Sequence, residues 1–399
     1  MQVKTLQDMN KLPKSDDIPI IYDTVITRFK TNPEPFTLEE IQNVQKEKII
    51  EFLLSKINTG TDKTLKLVNP ESDHVDWLSK QDKSKWFFSK RFEDYLSEDP
   101  EFGPAATRDI FDDADQILSR LENPKRPGPW RNQGLVFGNV QSGKTSNYSA
   151  LINKAADAGY KYIIVLGGLN KNLRSQTQIS LEKNFTGYQT DESEDSKGNI
   201  GVGNYPNLSN EDLNVNVFTT RGDKGDFKKS DIKKLKTYNP DTRNPNLFVI
   251  KKNGGPLKHV LQALINKIDN ENGIEEPLLL IDDECDNGSV NTKQKDKDPT
   301  RFNAYIRAIL SLFSKAAYVA YTATPFANIF IDPEKSKFQI QFDGDVLKDE
   351  DGHSVWEVKN NVQKKKIEKI VREVEDSDLY PHDFIVNLKE NNQYVGAKK

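Results

Sequence analysis

The segment GNVQSGKTSNY, from Gly138 to Tyr148, limits the possible folds of this chain more than any other part of the sequence. It has the spacing Gly138-x-x-x-x-Gly143-Lys144-Thr145, the apolar run LVF precedes it, and the helix-forming sequence TSNYSALINKAADAG overlaps its end. Glycines allow a backbone to wrap around phosphate groups, so that amides and a helix N-terminus face the negative charge. A strand, a glycine-rich loop and a helix in this order predict a phosphate-binding loop in an α/β fold.

The residues of this loop indicate nucleotide binding together with Mg²⁺. The ammonium group of Lys144 is expected to reach the β- and γ-phosphates and to take part in catalysis, and the hydroxyl of Thr145 is expected to bind Mg²⁺. We therefore predict ATP and Mg²⁺ as the cofactors. The residues predicted to bind the nucleotide are Gly138, Gln141, Ser142, Gly143, Lys144, Thr145 and Ser146.

A second apolar run ends in acidic residues, which such a loop requires. The segment LLLIDDECD, residues 278–286, places Asp283 where the predicted strand ends, so we predict that Asp283 holds the metal ion. Glu284 follows and points in another direction, so we predict that it activates the attacking water. A helix N-cap after a strand would explain one acidic residue, but it explains Asp282, Asp283, Glu284 and Asp286 together poorly.

Guanine-specific proteins with a similar loop read the base with Asn-Lys-x-Asp, and residues 266–269 have this pattern. The tetrapeptide lies at the end of the helical run PLKHVLQALINKID, not after a strand, and it precedes the acidic segment, which is the reverse of the order in those proteins. We therefore reject it as a base-reading motif. Small-molecule kinases share the loop and stay open as an alternative.

Short apolar runs alternate with amphipathic helices beyond residue 134, and they resemble buried parallel strands. A helical stripe in residues 300–315 suits a crossover helix that packs on a sheet. The pattern predicts a doubly wound α/β core with a mainly parallel sheet. The runs are LVF at 135–137, YIIVLGG at 162–168, VNVF at 215–218, LFVI at 247–250, PLLLID at 277–282 and AAYVAYT at 316–322.

The pattern of polar, apolar and turn-forming residues along the chain predicts three regions. Residues 1–125 are polar and helical, and we expect a helical accessory domain there, with the aromatic run DWLSKQDKSKWFFSKRFEDYL as its core. The turn-rich connector NPKRPGPWRNQG precedes residues 126–335, which we expect to form the nucleotide-binding lobe. Residues 336–399 are expected to be a C-terminal extension, and residues 190–204 and 221–236 are expected to be mobile polar loops.

Composition excludes several classes of protein. With one cysteine, Cys285, the chain has no intrachain disulfide, which favours a reducing, cytoplasmic setting. No run of about 18 apolar residues occurs, so we predict no membrane partner. The net charge of −4 means that any nucleic-acid binding must come from a local basic face.

Two motifs make the sequence resemble the superfamily 2 helicases. The segment DECD at 283–286 resembles their acidic box, and TATP at 322–325 resembles their third motif. The combination of VFGNVQSGKTSNYSALINKAADAGYKYIIVLGGLNKNLRSQTQ, IDDECD, AYTATPFANIFID and DLYPHDFIVNL further resembles the Z-one domain family of bacterial proteins, which are described as endonucleases. The match covers roughly residue 75 to the end.

This resemblance implies a RecA-like ATPase lobe of a DNA-directed motor in a restriction-modification or anti-phage defence system. It implies that Asp286, Thr322 and Thr324 couple the nucleotide state to DNA. The segment GLNKNLRSQTQ, residues 168–178, falls where such motors place a strand-contacting loop, which suggests Arg174 and Gln176 as nucleic-acid contacts. The partners implied are DNA and a DNA methyltransferase, a MutL-type ATPase or nuclease subunits.

The segment from 221 to 236 has seven basic and three acidic residues, so Lys228 and Lys229 are further candidates for phosphate contact. A solvated loop is the simpler interpretation of such a charge run, and we keep it as the alternative.

The sequence ends in GAKK, and nothing after Tyr394 could hold the second lobe that superfamily 2 motors need, so we expect one motor lobe. Two other functions stay open: an endonuclease subunit, and an ATP-gated assembly switch that does not translocate. The nearest approach to a metal-nuclease pattern is PDTRNPNLFVIKK from Pro240, but Val249 and Ile250 stand where its second carboxylate is needed. We therefore predict no nuclease centre in this segment.

Overall fold

The structure is a computed structural model that describes most of the chain beyond residue 65. The described residues are 66–68, 74–138, 143–190, 198–205, 213–222, 224–237, 244–268, 273–286, 298–323, 341–343, 346–348, 354–357 and 379–388. The chain divides into two compact units, Met1–Leu65 and Lys66–Lys399. The first unit lies outside the described residues, so the helices predicted there stay predictions. The division along the chain falls between Leu65 and Lys66, and the boundary near residue 125 stays a prediction.

Eight strands form one twisted layer at the centre of the second unit. From β11 to β4 all neighbours are parallel, and β1 pairs antiparallel with β11, in the order β1-β11-β2-β7-β6-β3-β5-β4. The α/β class and the mainly parallel sheet are thereby confirmed. The strands are β1 Lys66–Val68, β2 Trp130–Phe137, β3 Tyr162–Gly167, β4 Asn216–Val217, β5 Asn246–Ile250, β6 Leu278–Asp283, β7 Lys315–Thr322 and β11 Phe384–Asn387.

A separate antiparallel sheet of three strands lies between β7 and β11 in sequence. It has the order β10-β9-β8. Its strands are β8 Gln341–Asp343, β9 Val346–Lys348 and β10 Ser354–Glu357.

The six predicted strands are all present, and in five of them the predicted apolar run is buried on both faces. The exception is β4, which is only two residues long and half-buried. The strand β11 was not predicted, although its residues Phe384, Ile385 and Val386 are of types that favour strands. The segment predicted as an extension therefore contributes a strand to the main sheet.

Helices cover both faces of the sheet. Alternate residues of β6 mark the two faces: Leu280 packs with the helices α6 and α7, and Ile281 packs with α1, α2 and α3. Right-handed crossovers explain why the helices divide between the two faces. The connection from β2 to β3 through α3 runs toward the β4 edge of the sheet, whereas the connections from β5 to β6 through α6 and from β6 to β7 through α7 run toward the β1 edge. The helices are α1 Phe88–Glu98, α2 Gly103–Leu118, α3 Lys144–Ala158, α4 Lys171–Leu181, α5 Ile232–Thr237, α6 Gly254–Ile265 and α7 Asp298–Ser311.

The aromatic run before α1 is buried, as predicted, and it shares one core with the sheet. Trp77, Phe87 and Phe88 are each less than a tenth exposed and pack in the same cluster as Val136 of β2. The carboxylate of Asp157, near the end of α3, accepts hydrogen bonds from the amides of residues 87–89 at 2.8 to 2.9 Å. Helix α1 is therefore fastened to the helix that follows the glycine loop.

The prediction of a mobile loop at 221–236 is wrong for most of its length. A 3₁₀ turn at Lys229–Asp231 leads into α5, and the amide of Lys228 donates to Asp231 at 2.9 Å. Phe227 and Leu235 are buried in the core on the α6 side, so apolar anchors hold this charged segment against the fold. The high proportion of charged residues in this segment is the reason that these two buried residues were not predicted.

In the described part of the second unit, no helix combines the length and the apolar character that a membrane crossing requires.

Gly134 in β2 provides a test of the contact between β2 and β11. Its partner in register is Phe384, and a Cβ at position 134 would lie 2.0 Å from the phenyl ring. We expect Gly134→Ala to lower the free energy of unfolding by about 1 to 3 kcal/mol, because the ring cannot shift far in a packed core. Urea denaturation measures this.

Gly254→Ala is the matched control, since the nearest atom to a Cβ there is 3.9 Å away. In a Phe384→Ala background the Gly134 substitution should cost less, because the ring that it meets is gone. Equal costs in both backgrounds would contradict the contact.

Candidate nucleotide-binding site

The carboxyl ends of three neighbouring strands bring the predicted site residues to one edge of the sheet. Phe137 at the end of β2 is in register with Thr322 of β7, and Tyr321 of β7 is in register with Asp283 of β6. The glycine loop, Thr322 and the acidic segment therefore meet there. In open α/β sheets, ligands bind outside this edge.

The described ends of the glycine loop have the backbone that the motif requires. Gly143 has a φ of 67°, and a Cβ there would meet no atom within 4 Å, so the left-handed backbone and not crowding calls for glycine. Helix α3 begins at Lys144, directly after it, which directs the helix N-terminus to the loop. Ser146 is half-buried and Thr145 is exposed in the first turn. The predicted contacts Gln141 and Ser142 lie outside the described residues.

The side chain of Lys144 lies between the loop and the acidic segment. Its ammonium donates to the carbonyl of Gly138 at 3.0 Å. Burial lowers the pKa of Lys144, while the charges of Asp283, Asp286 and Glu284 raise it. The three acidic residues are therefore within electrostatic reach of the lysine, as the sequence motifs predicted.

The neighbours Asp282 and Asp283 lie on opposite faces of β6 and differ in their partners. Asp282 is fully buried, where Lys252 pairs with it at 2.6 Å and the hydroxyl of Tyr318 donates to it at 2.7 Å. Asp283 lies on the side of α3 and retains some exposure, which suits a metal ligand. Asp282 is thus a structural residue.

The burial of Asp283 changes its acidity. Desolvation raises its pKa to about 6, Lys252 and Lys144 oppose this shift, and Glu284 adds to it. A carboxylate in this environment gains stability from a cation, because a cation compensates the lost hydration.

Tyr148 was not predicted, and its side chain lies near the candidate metal ligands. Burial raises the pKa of its hydroxyl, and the side chains of Asp283, Thr145 and Thr177 also influence that pKa. Thr145 and Tyr148 are three residues apart on α3, so they share one helix face. This spacing is the signal in the sequence that could have identified Tyr148.

The donor set around Thr145 and Asp283 fits Mg²⁺. Mg²⁺ in nucleotide sites is usually held by one or two carboxylates, a hydroxyl, water and phosphate oxygens, not by a protein cage. Among the described residues, no group of three or more histidines, cysteines or acids that could hold a metal ion was found.

Of the three residues predicted to couple the nucleotide state to DNA, the structure describes two. Thr322 is fully buried, and its carbonyl accepts a hydrogen bond from the amide of Gly138 at 3.2 Å, so it contacts the start of the loop directly. Asp286 is half-buried and acts on Lys144. Thr324 lies outside the described residues.

The prediction that Arg174 contacts nucleic-acid phosphate is wrong, because its side chain is 2% exposed. Its guanidinium donates to the carbonyls of Thr220 at 2.6 Å and Gly222 at 2.8 Å. Arg174 thus holds the start of the basic segment in place. The other three candidates, Gln176, Lys228 and Lys229, are exposed.

Comparisons with protein-family models, curated proteins and solved structures find no significant match to this chain.

The raised pKa of Asp283 predicts a pH-dependent cost to stability. In the unfolded chain the pKa of this carboxyl is near 3.8, and in the fold its pKa is about 6. The fold therefore binds the extra proton between these values, so stability falls as the pH rises through this window. We expect Asp283→Asn to raise the free energy of unfolding by about 1 to 3 kcal/mol at pH 7.5 without metal or nucleotide.

Urea denaturation at pH 7.5 and at pH 4.5 checks this, and the gain should shrink at the lower pH. Glu275→Gln, at an exposed position before β6, is the control. A gain that does not change with pH would contradict the assignment.

Proposed function

We propose that this chain binds and hydrolyses ATP with Mg²⁺ through a RecA-like lobe of a DNA-directed motor. One observation carries the proposal: the lysine that ends the glycine loop and the carboxylate that ends β6 are close enough for their charges to interact. A glycine loop alone is a weak signal. The loop, the helix start and a partly exposed carboxylate at one edge of the sheet support phosphate and metal binding together.

Each residue at this edge has a role in the proposed reaction. Lys144 and the amides at the start of α3 bind the β- and γ-phosphates. Thr145 and Asp283 would hold Mg²⁺, which neutralises charge that develops on the phosphates. The buried Tyr148 lies near both of these side chains and closes this part of the site to water.

Glu284 is the proposed general base. Its charge raises the pKa of both Lys144 and Asp283, so its carboxylate is within electrostatic reach of both groups. A carboxylate there can orient a water molecule for in-line attack on the γ-phosphate and accept its proton.

The position of the Asn-Lys-x-Asp tetrapeptide supports ATP over GTP. Helix α6 ends at Ile265 and Asn266 is its C-cap, so the described part of the tetrapeptide follows a helix, as the sequence predicted. It does not follow a strand at the carboxyl edge, where a bound base would be read.

The motor function and the role in restriction or defence rest on the sequence resemblance. Two structural observations support coupling to a polymer. Thr322 contacts the loop through its carbonyl, and Arg174 anchors the basic segment whose lysines face solvent. A strand of DNA with evenly spaced phosphates suits exposed lysines that carry no base-reading geometry.

An ATP-gated switch without translocation is the second candidate, and one contact favours it. Asp157 joins the end of α3 to the start of α1, so a shift of α3 on nucleotide binding would reach the helices before the sheet. DNA stimulation of ATP turnover distinguishes the motor from the switch.

A nuclease centre at the PD-type pattern has no support, because Lys252, the lysine of that pattern, is 1% exposed and pairs with Asp282.

Removing the ammonium of Lys144 tests the nucleotide site. We expect Lys144→Ala to weaken binding of Mg²⁺-ATP at least about 10-fold, because a charge-assisted contact to phosphate contributes about 1.5 to 3 kcal/mol. Titration with a fluorescent ATP analogue measures the affinity. Lys183→Ala, at an exposed position in the turn after α4, is the control and should bind normally. Equal affinity of the two variants would refute the site.

Charge reversal tests the DNA surface. If Lys228 and Lys229 neutralise phosphates, reversing both should weaken DNA binding and reduce the slope of log affinity against log salt by about 2. Reversal of the exposed Lys80 and Lys85 near α1 is the matched control. An unchanged slope in the first variant would remove this segment from the DNA surface.

A further inference from the structure

Glu284 has an unusual backbone conformation. Among the described residues it is the only one other than glycine with a positive φ, at 52°. For a residue with a side chain this conformation costs about 1 to 2 kcal/mol, and it persists only where the surroundings hold it.

Three hydrogen bonds hold the backbone of Glu284. Its amide donates to Oδ1 of Asp283 at 3.0 Å, and its carbonyl accepts from Nζ of Lys252 at 2.7 Å. The next amide, of Cys285, donates to the carbonyl of Tyr321 at 3.0 Å. Of these donors, only Lys252 is a side chain from a distant part of the sequence.

Lys252 is itself rigidly placed just beyond the end of β5. Its amide donates to the carbonyl of Gly168 at 2.9 Å, and its ammonium pairs with Asp282 at 2.6 Å. Tyr318 fixes the second oxygen of that carboxylate at 2.7 Å. The ammonium therefore has a defined position behind the acidic segment.

We propose that Lys252 is a positioning residue for ATP hydrolysis, which holds the left-handed backbone of Glu284 so that its carboxylate faces the γ-phosphate. The proposal rests on the proposed function. Lys252 is buried on the other side of β6, where it donates to the carbonyl of Glu284 and its charge also lowers the pKa of Asp283.

The alternation of β6 explains why such a device is needed. In a continued strand, residue 284 would project to the same face as Asp282, which is packed and dry. The left-handed turn redirects the side chain, and the influence of Glu284 on Lys144 and Asp283 is consistent with this direction. An ion pair that served stability alone would need no contact with the carbonyl of Glu284.

A double-mutant cycle between Lys252→Met and Glu284→Gln tests the proposal at pH 8. Loss of the base should slow single-turnover hydrolysis by about 10² to 10⁴. Loss of the positioning contact should slow it by about 10 to 100 while the affinity for Mg²⁺-ATP stays nearly unchanged. In the Glu284→Gln background, Lys252→Met should have almost no further effect on the rate.

Two additions keep the test decisive. Tyr318→Phe removes only the hydroxyl behind Asp282 and should slow hydrolysis by about 2- to 10-fold without unfolding the protein. In nucleotide-free protein, amide hydrogen exchange at residues 284–286 should accelerate in Lys252→Met. Lys251→Met, at the half-buried neighbouring position, is the control and should change neither readout.

The outcomes separate the two proposals. If Glu284→Gln leaves the rate unchanged, or if the parent protein does not hydrolyse ATP, the proposed function fails. In that case only the hydrogen-exchange measurement tests whether Lys252 holds the backbone of Glu284. If Glu284→Gln is slow but Lys252→Met is as fast as the parent, the inference about Lys252 is overturned. Equal and additive losses in both backgrounds would also overturn it, because they indicate a general structural role.

Discussion

The burial of two adjacent carboxylates at the end of β6 is the constraint on which the candidate site depends. An ionised carboxylate in a protein interior is strongly unfavourable unless a cation and hydrogen bonds compensate it. Asp282 has both, from Lys252 and Tyr318. Asp283 is compensated only in part, so its pKa rises to about 6. The two carboxylates of this strand therefore differ, because only Asp282 is fully compensated. A divalent cation beside Asp283 would supply the missing charge, and without one the buried carboxylate of Asp283 lowers the stability of the fold.

Much of the fold could be predicted because burial on both faces of a parallel sheet leaves a clear pattern in the sequence. β3, β5, β6 and β7 coincide with apolar runs to within a residue or two, and α7 follows its helical stripe. Four-residue β11 has a composition that favours a strand, but its place beside β2 could not be predicted, because the two strands lie about 250 positions apart in the sequence. The helix α5 was missed for a different reason: two apolar anchors in a basic segment are too few to reveal a period.

The candidate site was predictable where spacing along the chain defines it, and less so where distant segments meet. Gly143, Lys144 and Asp283 follow motifs, and the structure places the lysine and the carboxylate together. Lys252 donates to the carbonyl of Glu284, and the buried Tyr148 lies near Asp283, yet neither was assigned a role at this site from the sequence. The error at Arg174 has the opposite origin. A basic residue in a loop near an expected ligand suggests phosphate contact, whereas its guanidinium is satisfied by main-chain carbonyls.

The position of β11 has a consequence for the synthesis of the protein. The strand β2, which leads into the glycine loop, has β7 on one side and β11 on the other, and Gln133 and Asp383 at that junction are 250 positions apart. At a ribosomal rate of about 5 to 20 residues per second, the outer edge of β2 stays unpaired for roughly 10 to 50 seconds after it emerges. An unpaired apolar edge of this kind is a template for association with other chains. A nascent chain would therefore gain from a chaperone that covers this edge until Phe384 has been translated.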